Sequence, residues 1–199
     1  MYDSTTATDI PATAEMVAGY IDGKYAWSDA DWARFPTAVK VRIAVSATTE
    51  DGHVLDVEPG DATPAQAVGW VTTRRAAGVD PSVYCNASTW PQVAKAFRDA
   101  GVGEPHYWIA QYDNDPTIPD GAVAKQYAND DLLGAHYDAS VVADYWPGVE
   151  EDMTEAQVRQ IVQDYLANVY GPQLEKELEQ KKAEAVVQAV KAIADKLSK

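Results

Sequence analysis

Apolar residues fall into short runs over the first three quarters of the chain and into helical spacing over the last quarter. The runs MVAGYIDG, VKVRIAVS, HVLDVE, PSVYCN, HYWIAQYD, AVAKQYAN and AHYDASVV are separated by stretches that carry turn or helix signals. Several are almost continuously apolar, as strands covered on both faces in a parallel sheet are. With the opening YDST they make eight strand candidates. Two connections have clear helix grammar. Thr63-Pro64 forms an N-cap and N1 pair ahead of AQAVGWVTTRRAAG, which ends in a glycine stop, and Thr89 to Gly101 repeats the pattern. Strand alternating with connection, eight times, predicts an α/β fold: a compact TIM-type (β/α)8 barrel with reduced helices. A doubly wound open sheet is the alternative. Usual barrels of this type run to ~250 residues, so in this shorter chain several helices must be short or missing.

The composition changes near residue 150. All six tryptophans, both phenylalanines and nine of eleven tyrosines lie before Glu150, and the remainder is rich in Ala, Glu, Gln, Lys and Val. The expected organisation is a barrel over 2–149 and a helical tail over 150–199. Thr154 with Gln157 reads as a capping box, and Val158, Val162, Tyr165 and Val169 follow at helical spacing. Gly171-Pro172 should stop or kink that helix. A second helix then carries Ala183, Val186, Val190, Ile193 and Leu197 at three- and four-residue steps. Packing back on the barrel and a short coiled-coil oligomerisation stalk are both open readings of this tail. The stalk would make a homo-oligomer or hold virion partners through residues 154–199.

Charge narrows the partners. A formal net charge of -15 repels nucleic acid and anionic membrane surfaces alike. No apolar run approaches the ~20 residues of a membrane span, and MYDSTTATDIP lacks the basic and apolar regions of a secretory leader. The single cysteine, Cys85, excludes an internal disulfide. His53, His106 and His136 each precede a strand candidate and never pair at metal-ligand spacing. Asp113, Asp115 and Asp120 in YDNDPTIPDG sit among prolines that do not fit an EF-hand loop, so a polar turn is expected. Nucleotide-binding and serine-hydrolase glycine motifs are missing. No cofactor or metal is expected.

The candidate chemistry lies in carboxylates. Asp56 and Glu58 flank Val57 at the end of an apolar run, with Pro59-Gly60 directly after. Residues i and i+2 on a strand face the same side, so both acids project from the carboxyl end of one strand, where barrel enzymes place their chemistry. Two such carboxylates in proximity should have one pKa raised and the other lowered. A raised acid beside an ionised neighbour suits cleavage of a glycosidic bond. Asp3 in the first strand candidate and Asp138 in the last would join them at one mouth if the sheet closes. Tyr84, Trp108, Tyr112 and Tyr127 stand near comparable strand ends and offer rings for sugar faces, or simply barrel packing.

The opening acid followed by LDVE, YCN, WIAQY, KQYAN and YDAS resembles, in order, the family 25 glycoside hydrolases, the phage-type muramidases. The resemblance covers roughly residues 2–146. It implies cleavage of bacterial cell-wall glycan, with Glu58 as general acid, Asp56 orienting or stabilising positive charge, and Asp3 and Asp138 completing an acidic floor. It also implies a place in a phage virion, or in host cytoplasm before release to the wall. The third strand departs from the family's Tyr-His-aromatic ending, having Ala44-Val45-Ser46. A catalytically inactive glycan-binding or structural virion barrel, multiplied by its tail, is the competing function.

Overall fold

Eight short strands pair in chain order and close into a barrel: β1 (Tyr2–Asp3), β2 (Met16–Tyr20), β3 (Val39–Ala44), β4 (Val54–Asp56), β5 (Ser82–Asn86), β6 (His106–Ala110), β7 (Ala124–Ala128) and β8 (Asp138–Val142). The structure, a computed structural model, describes residues 1–149, 163, 166–167 and 171–197. Each of the eight strand candidates contains one strand. Closure removes the open-sheet alternative. β1 has only two residues, yet it is bonded to β2 on one side and β8 on the other.

The sheet is mixed, which corrects the expectation of a wholly parallel one. β1 to β7 run parallel, while β8 is antiparallel to both of its neighbours. The link before β8 carries a single helical turn, α4 (Asp130–Leu133), capped by the Asn129 side chain and ended by Gly134 at φ 62°. Four helical residues advance ~6 Å, well short of the ~17 Å needed to run back along a five-residue strand. The chain therefore re-enters the sheet from the end at which β7 left it.

Helices follow only some strands. α1 (Asp29–Ala33) starts with a Ser28/Asp31 capping box. α2 (Pro64–Ala76) has the expected Thr63 N-cap, its side chain bonded reciprocally with Gln66. α3 (Trp90–Asp99) begins after Thr89 and is followed by Gly101 at φ 65°. A 3-10 turn at Ala7–Asp9 links β1 to β2, and the links over 45–53 and 111–123 contain no helix.

Alternation along the strands builds two apolar layers. Inside the barrel, Ala18, Val41, Val54, Trp108 and Ala124 pack together, and Trp146 closes the end opposite the mouth. Its Nε1 donates to Ser82 Oγ at 2.6 Å. Outside, Leu55, Val83 and Ile109 pack against Trp70, Val71 and Phe97 of α2 and α3. On another side Val17, Trp27 and Phe35 form a smaller cluster. There the indole of Trp27 lies directly on Gly19, where a Cβ atom would come within 2.4 Å of the ring.

The chain divides into two compact units, Met1–Glu151 and Asp152–Lys199. In the second, α5 spans Gly171–Leu197. Gly171 and Pro172, expected to stop or kink a helix, are the first two residues of α5. Leu174, Leu178, Val186 and Val187 on α5 are exposed. The Thr154/Gln157 capping box and Val158, Val162, Tyr165 and Val169 lie outside the described residues.

Candidate functional site

Asp56 is the last residue of β4, and the strand's parity persists beyond it. Val57 N donates to Tyr84 O at 2.9 Å, so Val57 turns outward into the apolar layer and Glu58 faces the mouth with Asp56. A turn through Pro59-Gly60 then folds the chain over, with Asp61 N donating to Glu58 O and Ala62 N to Asp56 O. Gly60 takes φ 109°, a region that glycine alone enters freely.

Three cavities meet at Glu58. The first, of about 190 Å³, opens at the barrel mouth and is lined by Asp3, Asp56, Glu58 and Asp138 together with Tyr20, Tyr84, Tyr112 and Gln126. The second, of about 200 Å³, shares Tyr20, Asp56 and Glu58 and adds Asp22, Lys24, Tyr25 and Asp61. The third, of about 220 Å³, is mostly apolar, lying between Val57, Pro59, Ala62, Pro64 and Val93. The four carboxylates expected from the sequence therefore face one space. Antiparallel β8 is what brings Asp138 there. As the first residue of β8 it stands directly across from Asp3, the last residue of β1.

Gln126 holds the floor of the site. Its Nε2 donates to Asp3 Oδ2 at 2.8 Å and to Asp138 Oδ2 at 3.0 Å. Its Oε1 accepts from Tyr84 OH at 2.7 Å and Tyr112 OH at 2.8 Å. Every hydrogen-bonding position of the amide is used. Asp138 Oδ1 accepts from Asp130 N at 2.9 Å, so each oxygen of that carboxylate has a partner. Asp3 Oδ1 and Asp56 Oδ1, by contrast, are buried without a hydrogen-bond partner among the described residues.

These environments raise the acids' pKa values. Burial, then the Glu58, Asp61 and Asp3 charges, pushes Asp56 up to about 8. Burial and the neighbouring Asp138 push Asp3 up to about 7 against the opposing pull of its Gln126 hydrogen bond. Glu58 is raised by burial and by Asp61, and Asp138 chiefly by burial. The expected split, with one acid up and the other down, does not occur within the Asp56–Glu58 pair. Desolvation acts on both in the same direction, and among the described residues no lysine or arginine pairs with either. Lys24 lines the second cavity, but its Nζ lies 3.3 Å from Tyr25 OH and 4.9 Å from the centre of that ring.

The aromatic candidates divide. Tyr84 and Tyr112 line the mouth. Trp108 is wholly buried in the barrel interior. Its ring meets Tyr84 edge-on at 4.8 Å and its Nε1 donates to Ser140 Oγ, so it supports the site from within the core. Tyr127 lies on the opposite face of β7 from Gln126 and lines none of the three cavities. Tyr20 and Gln126 are the residues that sequence reasoning missed. A glutamine in the middle of a short strand was the available signal for the second. Beside it Lys125, also buried, points the other way and pairs with Asp113 at 2.8 Å. That contact anchors the turn carrying Asp113 and Asp115, in which Asp115 in turn accepts from Thr117.

The histidines play local parts. His53 Nδ1 accepts from Arg42 N, and burial pushes its pKa down to about 4. His106 contacts Asp80 at 2.9 Å. Compared with protein-family models, curated proteins and solved structures, the chain finds no match in any of the three.

Proposed function

We propose that residues 1–149 form a glycosidase of the reduced TIM-barrel type that cuts the glycan strands of bacterial cell walls. The observation that carries this reading is the position of Glu58. It lines all three cavities beside a buried Asp56 and is itself held toward the protonated form. A glycan crossing the mouth would present its bridging oxygen to Glu58, which donates a proton as the bond breaks, while water adds to the anomeric carbon and gives its proton to a carboxylate.

The remaining acids suit the charge that develops. Burial and neighbouring acids make Asp56 and Asp3 costly to ionise. An oxocarbenium-like sugar ring placed against them supplies the missing positive charge, so their stabilisation is greatest in the transition state. Tyr84 and Tyr112, fixed through Gln126, offer ring surface on the same wall. The order of LDVE, WIAQY and YDAS along the chain supports a muramidase-type specificity and a phage setting.

A second reading is a catalytically inactive wall-binding or virion barrel multiplied by its tail. The exposed Leu174, Leu178, Val186 and Val187 of α5 favour it. Purified protein incubated with peptidoglycan from several bacteria decides between them. New MurNAc reducing ends, seen by mass spectrometry with wild type and lost with Glu58→Gln, support the glycosidase. Their absence from every wall, with a folded protein, supports the binding barrel.

A further inference from the structure

Resting on the glycosidase reading above, we infer that the mouth selects a cell-wall glycan whose glucosamine carries a free, protonated 2-amino group in place of the N-acetyl group.

The carboxylates of the mouth differ in what they already hold. Asp22 accepts from Val45 N, Ser46 N and the Thr49 hydroxyl, so it is spent on the fold. Asp138 is occupied by Gln126 and Asp130 N. Asp56 is different. It is 4 % exposed, lines both acidic cavities, and its carboxylate receives no hydrogen bond from any described residue, with Oδ1 fully buried. Asp3 keeps one oxygen unpartnered in the same cavity. Glu58 and Asp61 stand at the mouth without a cationic partner among the described residues.

Buried polar atoms left unpaired are costly, and a ligand that pairs them recovers that cost. The described residues of the site therefore supply no positive charge to these acids, and each acid ionised beside a cation offers it a free acceptor. An acetamido group brings one N–H and a carbonyl oxygen but no charge, so it leaves these acids as costly to ionise as before. An ammonium brings three N–H donors, no acceptor and a full positive charge. It matches Asp56 and Asp3 in both number and sign. A free lactyl carboxylate would meet the same acids as a like charge. The net charge of -15 also draws a cationic polymer toward the protein from a distance.

The test uses one peptidoglycan in two forms, fully N-acetylated with acetic anhydride and partly N-deacetylated with a peptidoglycan deacetylase. Wild-type protein is assayed on both for reducing ends and for binding by co-sedimentation, at low salt and at about 0.5 M NaCl, where surface charges are screened. The expected result is binding and kcat/KM about tenfold higher for the deacetylated form, with the preference shrinking in high salt. Asp56→Asn, checked for folding by circular dichroism, should abolish the preference. Equal or better cleavage of the acetylated form overturns the inference and leaves the glycosidase reading standing. Preferential binding of the deacetylated form without cleavage of either supports the inference and removes the glycosidase. No binding to the deacetylated form overturns the inference.

Discussion

Gln126 Nε2 lies 2.8 Å from Asp3 Oδ2, a hydrogen bond between residues 123 positions apart that joins β7 to β1 through the barrel interior. The same amide reaches Asp138, so two acids on neighbouring strands are tied together by a neutral group. An amide bridges them without cancelling their charge. A lysine there would have quenched the acidity that the site retains.

Replacing this amide should therefore be expensive. Gln126→Leu keeps approximate volume but strands two tyrosine hydroxyls and two carboxylate oxygens. The expected loss is about 2–4 kcal/mol of unfolding free energy, read from urea denaturation as a lower midpoint with an unchanged slope. Tyr84 and Tyr112 should become more mobile in the same variant.

Stability should fall as pH rises. Asp56 and Asp3 have folded pKa values of about 8 and about 7 against an ordinary 3.8, so the native state keeps protons that the unfolded chain releases. Where the native state binds more protons, stability declines with pH. The decline should run from about pH 4 to about pH 8. Asp56→Asn removes one of these groups. It should stabilise the protein at pH 8 by at least ~1.4 kcal/mol, the equivalent of one pKa unit, with little effect at pH 3. Denaturant titrations at the two pH values check the sign.

Glu58 is half-buried, takes no part in the hydrogen-bonded floor, and can be changed without unfolding the barrel. Glu58→Gln should lower kcat by about 10²–10⁴ without loss of thermal stability. The wild-type rate should decline with an alkaline limb above 4.5, the ordinary glutamate value. Asp61→Asn removes a charge that raises Glu58, so it should move that limb to lower pH. A pH–rate profile of each variant measures both effects.

Gly19 tests the packing beneath the mouth. A methyl group there would strike the Trp27 indole, which also donates to Ser4 O at 3.2 Å. Gly19→Ala should cost about 1–3 kcal/mol through overpacking. It should also shift the tryptophan emission as Trp27 is displaced.

The barrel was legible because each strand is an apolar run bounded by turn residues, a pattern that survives without helices between them. The direction of β8 was not, since alternation along a strand carries no sign for which end comes first. Asp56 and Glu58 were readable from their i, i+2 spacing. Their shared upward pKa shift was hidden, because burial and the want of a cation are properties of the folded mouth. Lys125 and Gln126 defeat any polar-outward rule: both are polar, adjacent and buried on opposite faces of one strand. Tyr84 and Trp108 are register partners, yet only the tyrosine lines the mouth cavity, and depth in a barrel is not written in sequence.

The two-residue β1 has a consequence for how this protein comes into being. Tyr2 and Asp3 pair with Ala139 and Asp138, and the Met1 amine donates to Ser140 O. Contacts of such sequence separation form late, because a long loop must close before they reward the chain. During synthesis Asp3 emerges before Gln126 and Asp138 and must wait for them before it has a strand on its far side or a partner for its carboxylate. Until then the acids are scattered along a growing chain and burden nothing. Closure of the barrel and assembly of the four acids at one mouth are thus a single event for this chain.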